Sequence, residues 1–160
     1  MKNKLITIIL VISNISLIVC ILRLITYAAD KVEQKEKKVD KFRSYYNLYD
    51  YWLEAVSRGV KVENYFLENG IERIAIYGMG DLGMQLARQL ENSPITVEYV
   101  IDKGIYADKV IYDMRSLEDD LSGVDAMIIT PIFAYDKIES QIKSKFDCPI
   151  ISIEDVVYAL

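Results

Sequence analysis

Residues 5–22 carry no charged side chain, and at about 1.5 Å per residue they span roughly 27 Å, the hydrocarbon thickness of a bilayer. The run predicts a transmembrane helix, with Leu24 and Ile25 extending it as the Arg23 stem snorkels to the headgroups. Ser13, Asn14 and Ser16 are tolerable within it, because hydroxyls bond back to the helix and an amide costs less than a charge. A cleaved signal peptide is the alternative, since Lys2 and Lys4 make a basic start and Ala28 and Ala29 are small. The length of the run and Tyr27 beside the cut favour the anchor. Arg23, Lys31, Lys35, Lys37, Lys38, Lys41 and Arg43 outnumber Lys2 and Lys4. The C-terminal portion is therefore expected in the cytoplasm, with the N-terminus outside.

Between Asp30 and Gly59 there is neither proline nor glycine. Apolar or aromatic residues fall at Val32, Val39, Phe42, Tyr46, Tyr49, Leu53, Val56 and Val60, the a and d spacing of a coiled coil, with Lys35 in the remaining core slot. The pattern predicts one long helix. Its stripe either pairs with another helix, as a homodimer or against a partner membrane enzyme, or packs on the chain's own globular domain. The cluster Tyr45, Tyr46, Tyr49, Tyr51 and Trp52 reads as packing rather than as a stacking platform for a base or sugar. A short second helix is expected over 62–69, with Gly70 as its stop.

The pattern then shortens into strands and helices in alternation. Strands are expected at 71–77, 96–101, 109–112, 123–130 and 149–153, with helices after Gly83, at 135–145 and after Ser152. Ser116 and Asp119 have capping-box spacing. Units this short imply a parallel sheet with right-handed crossovers. The expected fold is α/β, a small Rossmann-like parallel sheet of about five strands in the order 3-2-1-4-5. The expected domains are a transmembrane anchor at 1–28, a helical linker at 29–70 and a nucleotide-binding domain at 71–160.

The first strand runs into Gly78, Met79, Gly80, Asp81, Leu82 and Gly83, a G-x-G-x-x-G segment between strand and helix. In that setting Gly78 permits a tight turn, Gly80 lets backbone approach a phosphate, and Gly83 lets helix and strand pack closely. The helix N-terminus offers unpaired N–H groups and a positive dipole end. Asp102 stands 19 residues beyond Gly83, where an acid bonds ribose hydroxyls, so NAD is favoured over NADP if a dinucleotide binds. Lys103 follows it, and Thr130 and Pro131 end the fourth strand at the same crevice. The alternative for Asp102 is a plain turn residue. Asp81 complicates the loop, because its carboxylate could cap the helix and occupy the phosphate position.

Composition removes several chemistries. The chain has no histidine, so imidazole bases and histidine-ligated metals are excluded. A net charge of −5 argues against a nucleic-acid partner. Cys20 and Cys148 lie in segments expected in different phases, so no disulfide is expected. The Tyr-x-x-x-Lys pairs Tyr27/Lys31 and Tyr99/Lys103 are poorly placed for proton transfer, the first beside the membrane and the second along a strand. Glu118, Asp119 and Asp120 are expected at a helix start, as cap and dipole complement, and Cys148 has no histidine or local basic cluster to make it a thiolate.

The segments IAIYGMGDLG, EYVIDK, VDAMIITP and PIISIEDVV make residues 71–160 resemble a Rossmann-like domain of bacterial surface-polysaccharide proteins. They are similar to the N-terminal domain of sialic-acid-type O-acetyltransferases and to the non-catalytic Rossmann domain of membrane-bound nucleotide-sugar dehydratases. The resemblance implies a nucleotide or nucleotide-sugar ligand at Gly78, Gly80, Gly83 and Asp102. Those relatives have further catalytic domains, which this sequence does not show. The leading expectation is thus a membrane-anchored, non-catalytic binding module. A scaffold with an empty crevice, recruiting a membrane enzyme, is the second reading, and a small oxidoreductase or epimerase completed by a partner chain is the third.

Overall fold

The computed structural model describes residues 2–102 and 111–160, apart from the side chains at positions 2, 3, 5 and 7–12. The chain forms two units, Met1–Tyr45 and Tyr46–Leu160. Helix α1, Lys2–Ser57, supplies the whole of the first. Every residue from 13 to 43 is exposed. Among the described residues, no helix is long and apolar enough to cross a membrane. The expected span at 5–22 falls in part on side chains outside that description, those of Leu5 and residues 7–12.

The second unit begins with the last turns of α1, where Leu48, Trp52 and Ala55 are buried. Their spacing of four and three places them on one helical face. The helix ends because Gly59 adopts φ +81, letting the Val60 amide reach back to the Ala55 carbonyl at 3.0 Å. Gly70, at φ +68, closes α2 (Glu63–Glu68) in the same way, with Ile71 N–H donating to Phe66 at 2.9 Å.

Four parallel strands follow: β1 (Arg73–Tyr77), β2 (Thr96–Ile101), β3 (Ala126–Ile129) and β4 (Ile150–Ser152), in the order β2-β1-β3-β4. Between and after them lie α3 (Asp81–Leu90), α4 (Tyr135–Ile142) and α5 (Ile153–Tyr158). Parallel strands covered on both faces are apolar throughout, and in β1 and β3 both alternating sets of side chains, Ile74, Ile76 and Ile128 on one and Ala75, Met127 and Ile129 on the other, have no accessible surface.

The expectation of five strands is corrected to four among the described residues. Lys109 and Val110 of the expected third strand lie outside them, and Ile111 and Tyr112 are not in a strand. Beside β2 the described residues after it make a single bridge, Val100 with Met114. Val100 N–H donates to Asp113 and its carbonyl accepts from Arg115 N–H, at 2.8 and 2.9 Å. Arg115 then turns the chain away: its guanidinium lies 4.3 Å from the Tyr99 ring centre and bonds the Asp113 carboxylate and the Asp120 carbonyl. With that strand removed from the expected order, the remaining neighbours agree.

Ser116 and Asp119 make half of a capping box, Ser116 N–H donating to the Asp119 carboxylate at 2.6 Å, while the Ser116 hydroxyl accepts from Glu118 N–H at 3.2 Å. Only a turn results, because Gly123 and β3 follow within a few residues. Ser152 does cap α5, accepting from Glu154 N–H at 3.2 Å. At the amino ends of the two central strands, Asp125 fastens β1 to the start of β3. Its carboxylate accepts from the amides of Arg73 and Glu72 at 2.8 and 3.1 Å and from the Arg73 guanidinium at 3.1 Å.

Candidate functional site

The carboxyl ends of β1 and β3 are adjacent while their following connections run to α3 and α4. This is a topological switch point, where open parallel sheets bind ligands. Gly78 leaves β1 at φ +93, a conformation that side chains other than glycine's rarely adopt. A Cβ there would also lie 2.8 Å from the Pro131 ring and 2.9 Å from the Thr130 hydroxyl. Its amide donates to the Ile101 carbonyl at 2.8 Å, so the loop is tied to the end of β2.

The three glycines differ in what they meet. A Cβ at Gly83 would stand 2.1 Å from the Gly78 carbonyl oxygen, whereas at Gly80 it would meet nothing within 4 Å among the described residues. The first and third glycines are therefore demanded by the protein's own packing. Gly80 is not, and it stands at the N-cap of α3 in extended geometry. Asp81 opens that helix and is exposed. The capping role considered for it is not adopted: among the described residues no hydrogen bond joins its carboxylate to the loop.

Asp102 performs a different task. Its carboxylate accepts a 2.6 Å hydrogen bond from the Met79 amide, which sets the loop against the end of β2. The Met79 and Leu82 side chains are buried, so these residues reach the crevice only through backbone. Lys103 lies outside the described residues. Thr130 is buried, and its hydroxyl donates to the Gly78 carbonyl at 2.6 Å. Together with the half-buried Pro131, it supports the loop from behind.

Sequence reading missed a second wall. Past Pro131, a cavity of about 530 Å³ opens at the ends of β3 and β4, lined by Phe133, Lys137, Ser152 and Glu154 among others. Phe133 is exposed there. The signal lay in position alone, since these residues follow the carboxyl ends of strands. A further cavity, of about 550 Å³, lies at the other end of the sheet beside Phe146 and Cys148. Burial pushes the Cys148 thiol up, away from the thiolate form. Tyr99 is unsuited to proton transfer: its hydroxyl donates to the Leu121 carbonyl at 2.6 Å, and its pKa is pushed up to about 12, chiefly by burial.

These features define a parallel α/β sheet compatible with the Rossmann architecture, with an open glycine loop at its switch point. No protein-family model, curated protein or solved structure matches the chain.

Proposed function

We propose that the chain is a non-catalytic module that binds a nucleotide or nucleotide sugar and is held at a membrane by its N-terminal helix, in the service of bacterial surface-polysaccharide assembly. The observation that carries the binding reading is the contrast within the loop. Gly78 and Gly83 are glycine because the fold requires it, while at Gly80 the space beyond the backbone is open. Open backbone at the start of a ten-residue helix suits a phosphate. Asp102 stands beside it with carboxylate oxygens for ribose hydroxyls, and the cavity past Pro131 offers room for the remainder of an extended ligand.

The anchor reading is supported by the uncharged run at 5–22 and by the exposure of Ile15, Leu17, Ile18, Val19, Ile21 and Leu22 around the helix. Alkaline extraction of cell membranes tests it: the chain stays in the pellet, and release into the supernatant would overturn the anchor. The cytoplasmic placement of the second unit is tested by its protection from protease in intact cells.

Thermal denaturation of the full chain in detergent with NAD, NADP and UDP-sugars tests binding. At least one nucleotide raises Tm, and Gly80→Asp, which sets a carboxylate in the open space, abolishes the rise. No response to any of them favours the second reading, a ligand-free scaffold that recruits a membrane enzyme through the exposed face of α1.

A further inference from the structure

Helix α1 carries two apolar stripes. Leu48, Trp52 and Ala55 are buried in the second unit. The heptad positions are a different set. Within the first unit Val32, Val39 and Phe42 are exposed, Phe42 to 76%. Within the second, Tyr46, Leu53 and Val56 are exposed as well, with Tyr46 at 68% and Leu53 at 69%. In heptad terms the buried stripe occupies positions c and g, about 110° around the helix from the centre of the a/d stripe. Within the second unit the last turns of α1 bury one side in the core, with Tyr49 half-buried beside it, and leave Tyr46, Leu53 and Val56 exposed on the heptad side.

We propose that this side pairs with the same side of a second copy of the chain, as a parallel, in-register, two-stranded coiled coil. Charge supports an identical partner. In that register position g of one helix faces position e of the next heptad on the other, so Lys31 of each copy meets Glu36 of its mate, and the Tyr45 hydroxyl faces Asp50. Lys38 opposes Arg43, a repulsion softened by the Arg43 to Asp40 ion pair at 3.3 Å on the same helix. Lys35, at a core position, marks the register, because sliding one helix by a heptad would set its ammonium against apolar side chains. Area supports a partner of this size. At about 100 Å² each, the six exposed seam residues present on the order of 600 Å² per copy, which with the Lys31 and Glu36 stems approaches the roughly 800 Å² per partner of a standard interface. Beside the seam, a cavity of about 260 Å³ lined by Tyr49, Leu53, Val56 and Gln85 leaves room for an aromatic side chain of the second copy. The proposal stands apart from the nucleotide reading.

The test uses the full chain in detergent with Cys20→Ser, which leaves Cys148 as a constant in every variant. Lys35→Cys and Phe42→Cys, both at seam positions, shift most of the chain to a doubled mass on a non-reducing gel after mild oxidation. Lys37→Cys, on the opposite side of α1, stays at the single-chain mass. An antiparallel pair centred on one site cannot link both seam positions, so linkage at only one of them overturns the parallel register. Light scattering, corrected for detergent, gives twice the chain mass for the unmodified protein and one chain mass for Phe42→Asp, a change at an exposed position that leaves the fold intact. A single-chain mass for the unmodified protein, or equal cross-linking at positions 37 and 42, overturns the dimer.

Discussion

Gly83 approaches the Gly78 carbonyl so closely that a β-carbon on Gly83 would lie 2.1 Å from that oxygen. Backbone stands on both sides of the contact, so no rotamer change relieves it. Gly83→Ala is expected to cost at least about 2 kcal/mol, seen as a fall in Tm of roughly 10 °C or more. Gly80→Ala is the informative companion. It meets nothing within 4 Å and its backbone, at φ −66 and ψ −165, suits any residue. Its stability should stay within about 1 kcal/mol, because the weaker cap is offset by a less flexible unfolded chain. Nucleotide stabilisation, measured in the same melts, should be lost. A Gly80→Ala protein that melts normally and still responds fully to nucleotide would remove phosphate from the loop.

Asp102 holds the Met79 amide, and on the proposed reading its carboxylate also accepts from ribose hydroxyls. Asp102→Asn keeps an acceptor for the amide and removes the charge, so the loop should persist at a cost of about 1 kcal/mol. Removing that charge also lifts the repulsion of a 2′-phosphate. The ratio of the Tm shifts given by NADP and NAD should rise in the variant. An unchanged ratio would restrict Asp102 to its structural bond.

The pH dependence of stability has one clear source in Asp125. The Arg73 amide, then the Arg73 side chain and the Glu72 amide, hold its carboxyl below the usual carboxylate range. A depressed folded-state pKa stabilises above the unfolded value, near pH 4, and the gain is lost as pH falls through the folded one. Asp125→Asn should therefore be weaker than the unmodified chain at pH 7, by on the order of 1 kcal/mol given solvent screening. The gap should close in acid, below the ordinary range. Urea melts at the two pH values measure it.

On α1, Trp52 is 2% exposed and its indole N–H donates to Gln89 on α3 at 3.1 Å. Trp52→Ala should cost about 3–5 kcal/mol, whereas Phe42→Ala, outside the core of the second unit, should lower its melting far less. Denaturation followed by tryptophan-independent circular dichroism compares the two. A larger loss at Phe42 would reverse the assignment of the two stripes.

The sheet neighbours and the loop were legible because glycine and β-branched residues announce them: Gly78 to Gly83 between β1 and α3, and the apolar segments Arg73–Tyr77, Thr96–Ile101 and Ala126–Ile129. Two things were not. The segment around Ile111 and Tyr112 has strand-like composition, yet among the described residues it makes a single bridge, at Met114, next to the Arg115 guanidinium on the Tyr99 ring. On α1, sequence showed an apolar seam but not which side faces the domain. Leu48, Trp52 and Ala55 supply only three positions, and their period is the same as that of the longer stripe they adjoin. Of the expected site, Thr130 does lie beside the glycine segment, and its hydroxyl serves Gly78, since a buried hydroxyl takes the nearest backbone acceptor.

The Thr130 hydroxyl reaches the carbonyls of both Gly78 and Tyr77, at 2.6 and 3.3 Å, from the position that follows β3, with the Pro131 ring beside it. The curvature of the glycine segment is consequently legislated from outside its own six residues. Grafting positions 78–83 into a foreign sheet would transplant the glycines and leave the shape behind, unless a threonine followed by proline were carried along at the end of the neighbouring strand.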